Sequence, residues 1–116
     1  MTSLRVLELV GENAVTVEGG EALFASIADK IEHEEVVLDF AGVTVCASPF
    51  FNASIGRLVG LHDADVLRKR LRFVNLSPTA SELMRRVIEN SREYYARSPE
   101  QRLAVDEAVQ GAPSQR

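Results

Sequence analysis

The stretch Val36-Val37-Leu38-Asp39-Phe40 limits what this chain can fold into more than any other. It opens as a β-branched apolar run without polar–apolar alternation, the pattern of a strand buried on both faces at the centre of a sheet. Asp39 and Gly42 punctuate the chain, and Val43 to Cys46 makes a second apolar step. Ser48-Pro49 then reads as a helix start, with Ser48 as the cap and Pro49 at the first helical position. A central strand therefore runs through a tight loop into the N-terminus of a helix. In open α/β sheets ligands and partners are met at that junction. The candidate site residues follow: Asp39 at the strand end, and Ser48, Phe50 and Asn52 at the helix start.

The flanking sequence supplies elements to cover such a strand. Leu4 to Val10 is rich in strand formers, Gly11-Glu12-Asn13 is a turn, and Ala14 to Val17 reads as a second strand, so this region is expected to form a hairpin. Gly19-Gly20 breaks the chain before a helix over 21–32, whose apolar stripe is Leu23, Ile27 and Ile31 with Phe24 and Ala28 beside it. After Pro49, the residues Phe51, Ile55, Leu58 and Val59 make the buried stripe of a second helix, which leaves Asn52, Ser54 and Arg57 on the other faces. Gly60 is a candidate end for it. Asp63 is placed to cap a short helical turn through Leu67, and Leu71 to Asn75 is the next strand, parallel to the central one. Ser77-Pro78 repeats the cap-plus-proline start. Ala80, Leu83, Met84, Val87 and Ile88 give the clearest helical stripe in the chain.

These elements predict an α/β fold, a mixed sheet of four to five strands covered by helices in a single domain over 1–97. A C-terminal helix and frayed tail are expected over 98–116. The length of 116 residues and an apolar content of 46% suit one core. A net charge of −4 argues against nucleic acid as the main partner, since phosphate binding needs a basic surface. No apolar run reaches the ~20 residues of a membrane span, and Met1 to Val10 has no secretory pattern. The single cysteine excludes an internal disulfide framework. A cytoplasmic protein is the expectation.

Catalytic chemistry finds no support in the residues. Cys46 lies in an apolar run without a histidine in catalytic context, and it reads as an inert, buried side chain. A G-x-S-x-G elbow, a phosphate-binding glycine loop and paired metal ligands are all missing, and neither cofactor nor metal is expected. Adjacent residues rarely converge on one ion, so Glu32-His33-Glu34-Glu35 reads as a solvated helix end, as does Arg68-Lys69-Arg70. Asp39 is expected to fix the turn by accepting loop amides.

The central stretch also resembles a known family. Leu38-Asp39-Phe40-Ala41-Gly42-Val43 is similar to the "LDLSGV…DSSG" signature of STAS domains, named for sulphate transporters and anti-sigma-factor antagonists. The closer resemblance is to a STAS-like family of unknown function. It rests on Val36 to Val43, on Ser48-Pro49-Phe50 with Gly56-Arg57-Leu58, and on Val74-Asn75-Leu76-Ser77-Pro78. The resemblance implies a STAS-like fold and a non-enzymatic regulatory module that docks a partner through Ala47 to Ser54. The implied partner is a GHKL-type ATPase or a serine kinase of a bacterial switch. In anti-sigma-factor antagonists a serine of this loop is phosphorylated. Here the "DSSG" positions read Ala47-Ser48-Pro49-Phe50, so Pro49 stands where the phosphoserine would be and Ser48 is its neighbour. The alternative reading is a small-molecule or nucleotide sensor that holds an anion at the same helix N-terminus. An enzyme using Cys46 or Asp39 is the third.

Overall fold

A computed structural model of the chain describes residues 1–96. The central strand, β3 (Val36–Asp39), lies between β1 (Thr2–Arg5) and β5 (Leu71–Val74), and both pairings are parallel. The register aligns Leu4 with Leu38 and Leu38 with Phe73. One face of this sheet carries Leu4, Val36, Leu38, Phe40, Leu71 and Phe73, and Val36, Leu38 and Phe40 are buried. The opposite face carries Ser3, Arg5, Arg72 and Val74, all exposed, with Val37 and Asp39 half-buried between them. Burial on both faces, expected from the unbroken apolar run, is thus corrected to burial on one. Val37 fits the pleated surface as a β-branched residue, while its neighbours on β1 and β5 are polar.

After each strand the chain turns onto a second layer. β1 leads into a short helix, α1 (Val6–Val10), then β2 (Asn13–Ala14) and α2 (Val17–Ile27). β3 leads through a turn into β4 (Val45–Cys46), which pairs in parallel with β2 as a separate two-stranded sheet, Ala14 against Cys46. Five short strands are therefore present among the described residues, all parallel and in two sheets, not one mixed sheet. The expected hairpin does not form, because Val6 to Val10 is helical despite its strand-forming residues. Val6 is buried and Leu7 packs on the turn at Gly42, so tertiary contact overrides the local preference.

The helix after β4 is built from three pieces. α3 (Ser48–Phe51) continues into a π-helical turn (Asn52–Gly56) and then α4 (Arg57–Leu61) with helical backbone angles throughout. This rod lies between α2 and a long last helix, α6 (Pro78–Ala96), and both approaches depend on absent side chains. A Cβ on Gly20 of α2 would stand 2.4 Å from the Phe50 carbonyl oxygen, and one on Gly56 would stand 2.8 Å from Ser91 Oγ. Gly20 therefore sits inside α2 as a contact point, where Gly19-Gly20 had been expected to precede the helix. Thr16 is the cap, accepting from the Gly19 N–H at 2.9 Å. Gly60 likewise lies within α4, under the ring of Tyr95, and does not end the helix. Between α4 and β5 runs α5 (Ala64–Arg70), with no fully buried residue.

The core comprises Val6, Ala14, Leu23, Ile27, Ile31, Val36, Leu38, Phe40, Phe50, Phe51, Ile55, Leu58, Leu71, Met84 and Val87. Val6, Ala14 and Phe50 lie outside the helical stripes and central strand read from the sequence, while Phe24, Val59, Leu83 and Ile88 of those stripes are only half-buried. The C-terminal helix and tail expected over 98–116 lie outside the described residues. Replacing Leu38 by Ala opens a cavity at the middle of the sheet, and the expected loss is about 2–5 kcal/mol of unfolding free energy. Urea denaturation checks this: an unchanged midpoint would place Leu38 outside the core.

Candidate functional site

The loop over 40–44 joins the two sheets, and its geometry starts at Asp39, the last residue of β3. The Asp39 Oδ1 atom accepts the Ala41 N–H at 2.9 Å and the Asn75 Nδ2–H at 2.9 Å. The Phe40 N–H donates to the Val74 carbonyl at 3.0 Å and the Val43 N–H to the Phe40 carbonyl at 3.0 Å. The second closes a tight turn with Gly42 at φ 87°, where a side chain would be strained and would also collide with Leu7. Asn75 has φ 60°, a left-handed conformation that asparagine tolerates better than most residues. Asp39 thus ties the end of β3 to its own loop and to the end of β5. The hydrogen bond from Asn75, then that from Ala41, and more weakly the Arg5 charge hold its carboxyl below the ordinary aspartate range, against a smaller opposing effect of burial. Asn75 was not singled out as a functional residue; its signal is an asparagine directly after a strand and before a Ser-Pro helix start.

The helix start departs from expectation by one residue. Ala47, in extended conformation, occupies the N-cap position and offers no side-chain acceptor; Ser48 is the first helical residue and Pro49 the second. Ser48 is therefore not the cap, and its side chain is exposed. At two other helix starts a hydroxyl does cap, Thr16 for α2 and Ser77, which accepts the Ala80 N–H at 3.1 Å, for α6, whereas Arg5 before α1 and Asp63 before α5 make no side-chain cap bond. Phe50 is fully buried, not at the border of the surface: it packs edge-on against Phe51, with ring centroids 5.6 Å apart. Ser54, expected on a solvent face, is also buried, and its hydroxyl donates to the Phe50 carbonyl at 2.8 Å. The buried face of the rod, residues 50, 51, 54, 55, 56 and 58, is wider than the stripe read from the sequence, because the rod is packed between α2 and α6 and buried from both sides. Asn52 is exposed as expected.

Ser48 and Asn52 are thus presented together on one exposed helix start, while Phe50 is claimed by the core and Asp39 by Ala41 and Asn75. The parallel pairing of β2 with β4 brings the start of α2 beside the start of α3. Two large apolar side chains are left half-exposed in this region, Val17 (47%) at the first position of α2 and Val45 (49%) in β4. Sequence reading missed both, because a valine in a strand or helix carries no mark of which face it occupies.

Family comparison bears on this same region. The family described as "STAS-like domain of unknown function (DUF4325)" matches residues 19–80. The chain belongs to that family. The matched span runs from within α2 to the first turn of α6 and includes the whole Asp39–Ser54 segment. Searches of curated proteins and of solved structures returned no match.

The remaining reactive groups of this STAS-like domain are placed as follows. Cys46 is half-buried, less than expected, and burial pushes its thiol up. Among the described residues no cluster of three or more His, Cys, Asp or Glu side chains is disposed to hold a metal, and no helix is long and apolar enough to cross a membrane. The acidic run is spent on the sheet edge: Glu34 accepts from Thr2 and pairs with the chain's amino terminus, and Glu35 pairs with Arg72 at 3.0 Å. In the basic run Arg70 donates to the carbonyls of Ile31 and Glu32, and Arg68 pairs with Asp65.

Two predictions follow from this geometry. The folded pKa of Asp39 lies below its unfolded value, so its contribution to stability is present at neutral pH and is lost as pH falls through the folded pKa. Asp39→Asn should lower the urea midpoint at pH 7, and the gap between variant and parent should shrink at acid pH; an equal gap at both would dissociate the carboxylate from the loop. The raised pKa of Cys46 predicts slow alkylation at neutral pH, accelerated by denaturant, as read by thiol labelling with mass spectrometry.

Proposed function

We propose that this STAS-like domain is a non-catalytic regulatory module whose protein partner docks on the exposed start of the 48–61 helix rod. The observation that carries the reading is the half-exposure of Val17 and Val45 on the two elements that flank the rod's start, α2 and β4, together with the exposed Ser48 and Asn52 on the rod itself. Apolar area rimmed by polar side chains is the composition of a contact surface. The rigid supports beneath it, Phe50 and Phe51 in the core and the Asp39–Asn75 link under the loop, let a partner bind without first ordering the site. A non-catalytic role accords with a Cys46 thiol that burial disfavours as thiolate and with an Asp39 already engaged by two donors.

The family resemblance supports a regulatory partner such as a GHKL-type ATPase or a serine kinase, which would place the module in the cytoplasm. Phosphorylation of Ser48 would add close to two negative charges to this surface. A second reading, a sensor for a small anion, rests on the exposed start of the rod, which has no side-chain cap; the shorter helices α1 and α5 lack one too.

Ser48→Asp puts an acid in the first turn, where the helix dipole favours it, so the fold should persist. Partner affinity should nevertheless fall by about tenfold or more, because charge enters the contact. Asn52→Arg should do the same. The partner is to be recovered by pull-down from the native host, affinity measured by calorimetry and folding by circular dichroism. Folded variants that bind as tightly as the parent would move the docking site elsewhere. A loss of binding on adding inorganic phosphate to the parent would favour the sensor.

A further inference from the structure

Away from the helix start, the packing of α5 is incomplete. A cavity of about 240 Å³ lies between α5, α6 and β5, and its apolar wall includes Val59, Leu67, Phe73 and Ile88, each half-buried. Two charged residues, Arg68 and Arg92, are also part of the lining. Arg68 is paired with Asp65 at 3.0 Å, but Arg92 makes no ion pair among the described residues. A wider, more open cavity of about 370 Å³ adjoins the first and shares Val59, Leu67 and Arg92 with it. Arg92 therefore stands where the apolar space opens towards water.

We propose that this cavity binds a small amphipathic monocarboxylate, with its apolar body against Leu67, Phe73 and Ile88 and its carboxylate on Arg92. Size, polarity and charge each contribute to the argument. An apolar cavity of ~150 Å³ is enough to take up benzene, so the space here admits a longer apolar body. Arg92, which lines both cavities and has no ion pair among the described residues, supplies the directional, charge-assisted donors that an apolar wall alone lacks. Asp63 lines the wider cavity and repels anions there, so the carboxylate's place is on Arg92, at the boundary shared with the apolar space. The site does not overlap Ser48 and Asn52, so it stands independently of the docking surface.

The test uses decanoate as probe and decanol as its uncharged counterpart, each titrated into the full chain and read by calorimetry. Decanoate should bind about tenfold more tightly than decanol. Arg92→Gln, at an exposed position, should erase that margin with the fold intact. Leu67→Trp should fill the space and weaken both probes by about tenfold or more. Absence of decanoate binding up to about 1 mM, or equal binding of the two probes, would overturn the proposal. So would decanoate binding unaffected by either variant. Dimerisation in sedimentation that Leu67→Trp abolishes would overturn it in favour of a second copy in the groove. Decanoate binding that emerges only after removal of residues 97–116 would overturn it in favour of the chain's own end.

Discussion

Leu38, set between Leu4 on one side and Phe73 on the other, is where three strands well separated in sequence meet. The parallel register that makes this contact also aligns the ends of the strands. Because β1, β3 and β5 run the same way, Arg5, Asp39 and Val74 finish side by side, and the loops that follow leave from one edge of the sheet. Asp39 can then reach Asn75, and the loop it anchors is fixed at both ends. The candidate site depends on this alignment: if β3 slipped by one residue, Leu38 would turn to the exposed face and Asp39 into the core.

The second constraint is the close approach of three helices. Gly20 admits the Phe50 carbonyl, Gly56 admits Ser91, and Gly60 lies under Tyr95, so the 48–61 rod is held from both sides through backbone surfaces. The π turn sits at the middle of this arrangement. Phe50 and Phe51, adjacent in sequence just before it, both enter the core, and the buried Ser54 hydroxyl within it donates to the Phe50 carbonyl. Burying two consecutive phenylalanines in the first turn anchors the helix start, and Ser48 and Asn52 are left as its outward residues. The rigidity of the proposed docking surface is in this sense a product of core packing behind it.

The bare face of the sheet has a different character. All-parallel sheets are usually covered on both faces, and here the uncovered one is polar: Ser3, Arg5 and Arg72 flank Val37, and Arg72 is paired with Glu35. The acidic and basic runs of the sequence are largely absorbed at the opposite edge of the same sheet. Glu34 joins the amino terminus and Thr2, and Arg70 joins the carbonyls of Ile31 and Glu32. Charges that look like a patch when read in sequence serve here as ties between neighbouring elements.

The central strand, the helical stripes around Leu23, Ile55 and Met84, two of the helix starts to within a residue, and the turn-fixing role of Asp39 are all legible in the amino-acid order. These are local signals, set by side-chain periodicity, by the fixed φ of proline and by hydrogen bonds a few residues long. The family was legible for a similar reason, since its motifs lie on that same strand, loop and helix start. Only the tertiary structure decided that Val6 to Val10 is helical, that β2 pairs with β4, that Gly20 lies inside a helix and that Phe50 and Ser54 are buried. Each of these depends on a partner distant in sequence: Gly42 for Leu7, Cys46 for Ala14, and the rod itself for Gly20. No window of neighbouring residues contains that information, because a glycine or a serine takes its role from whatever backbone is packed against it.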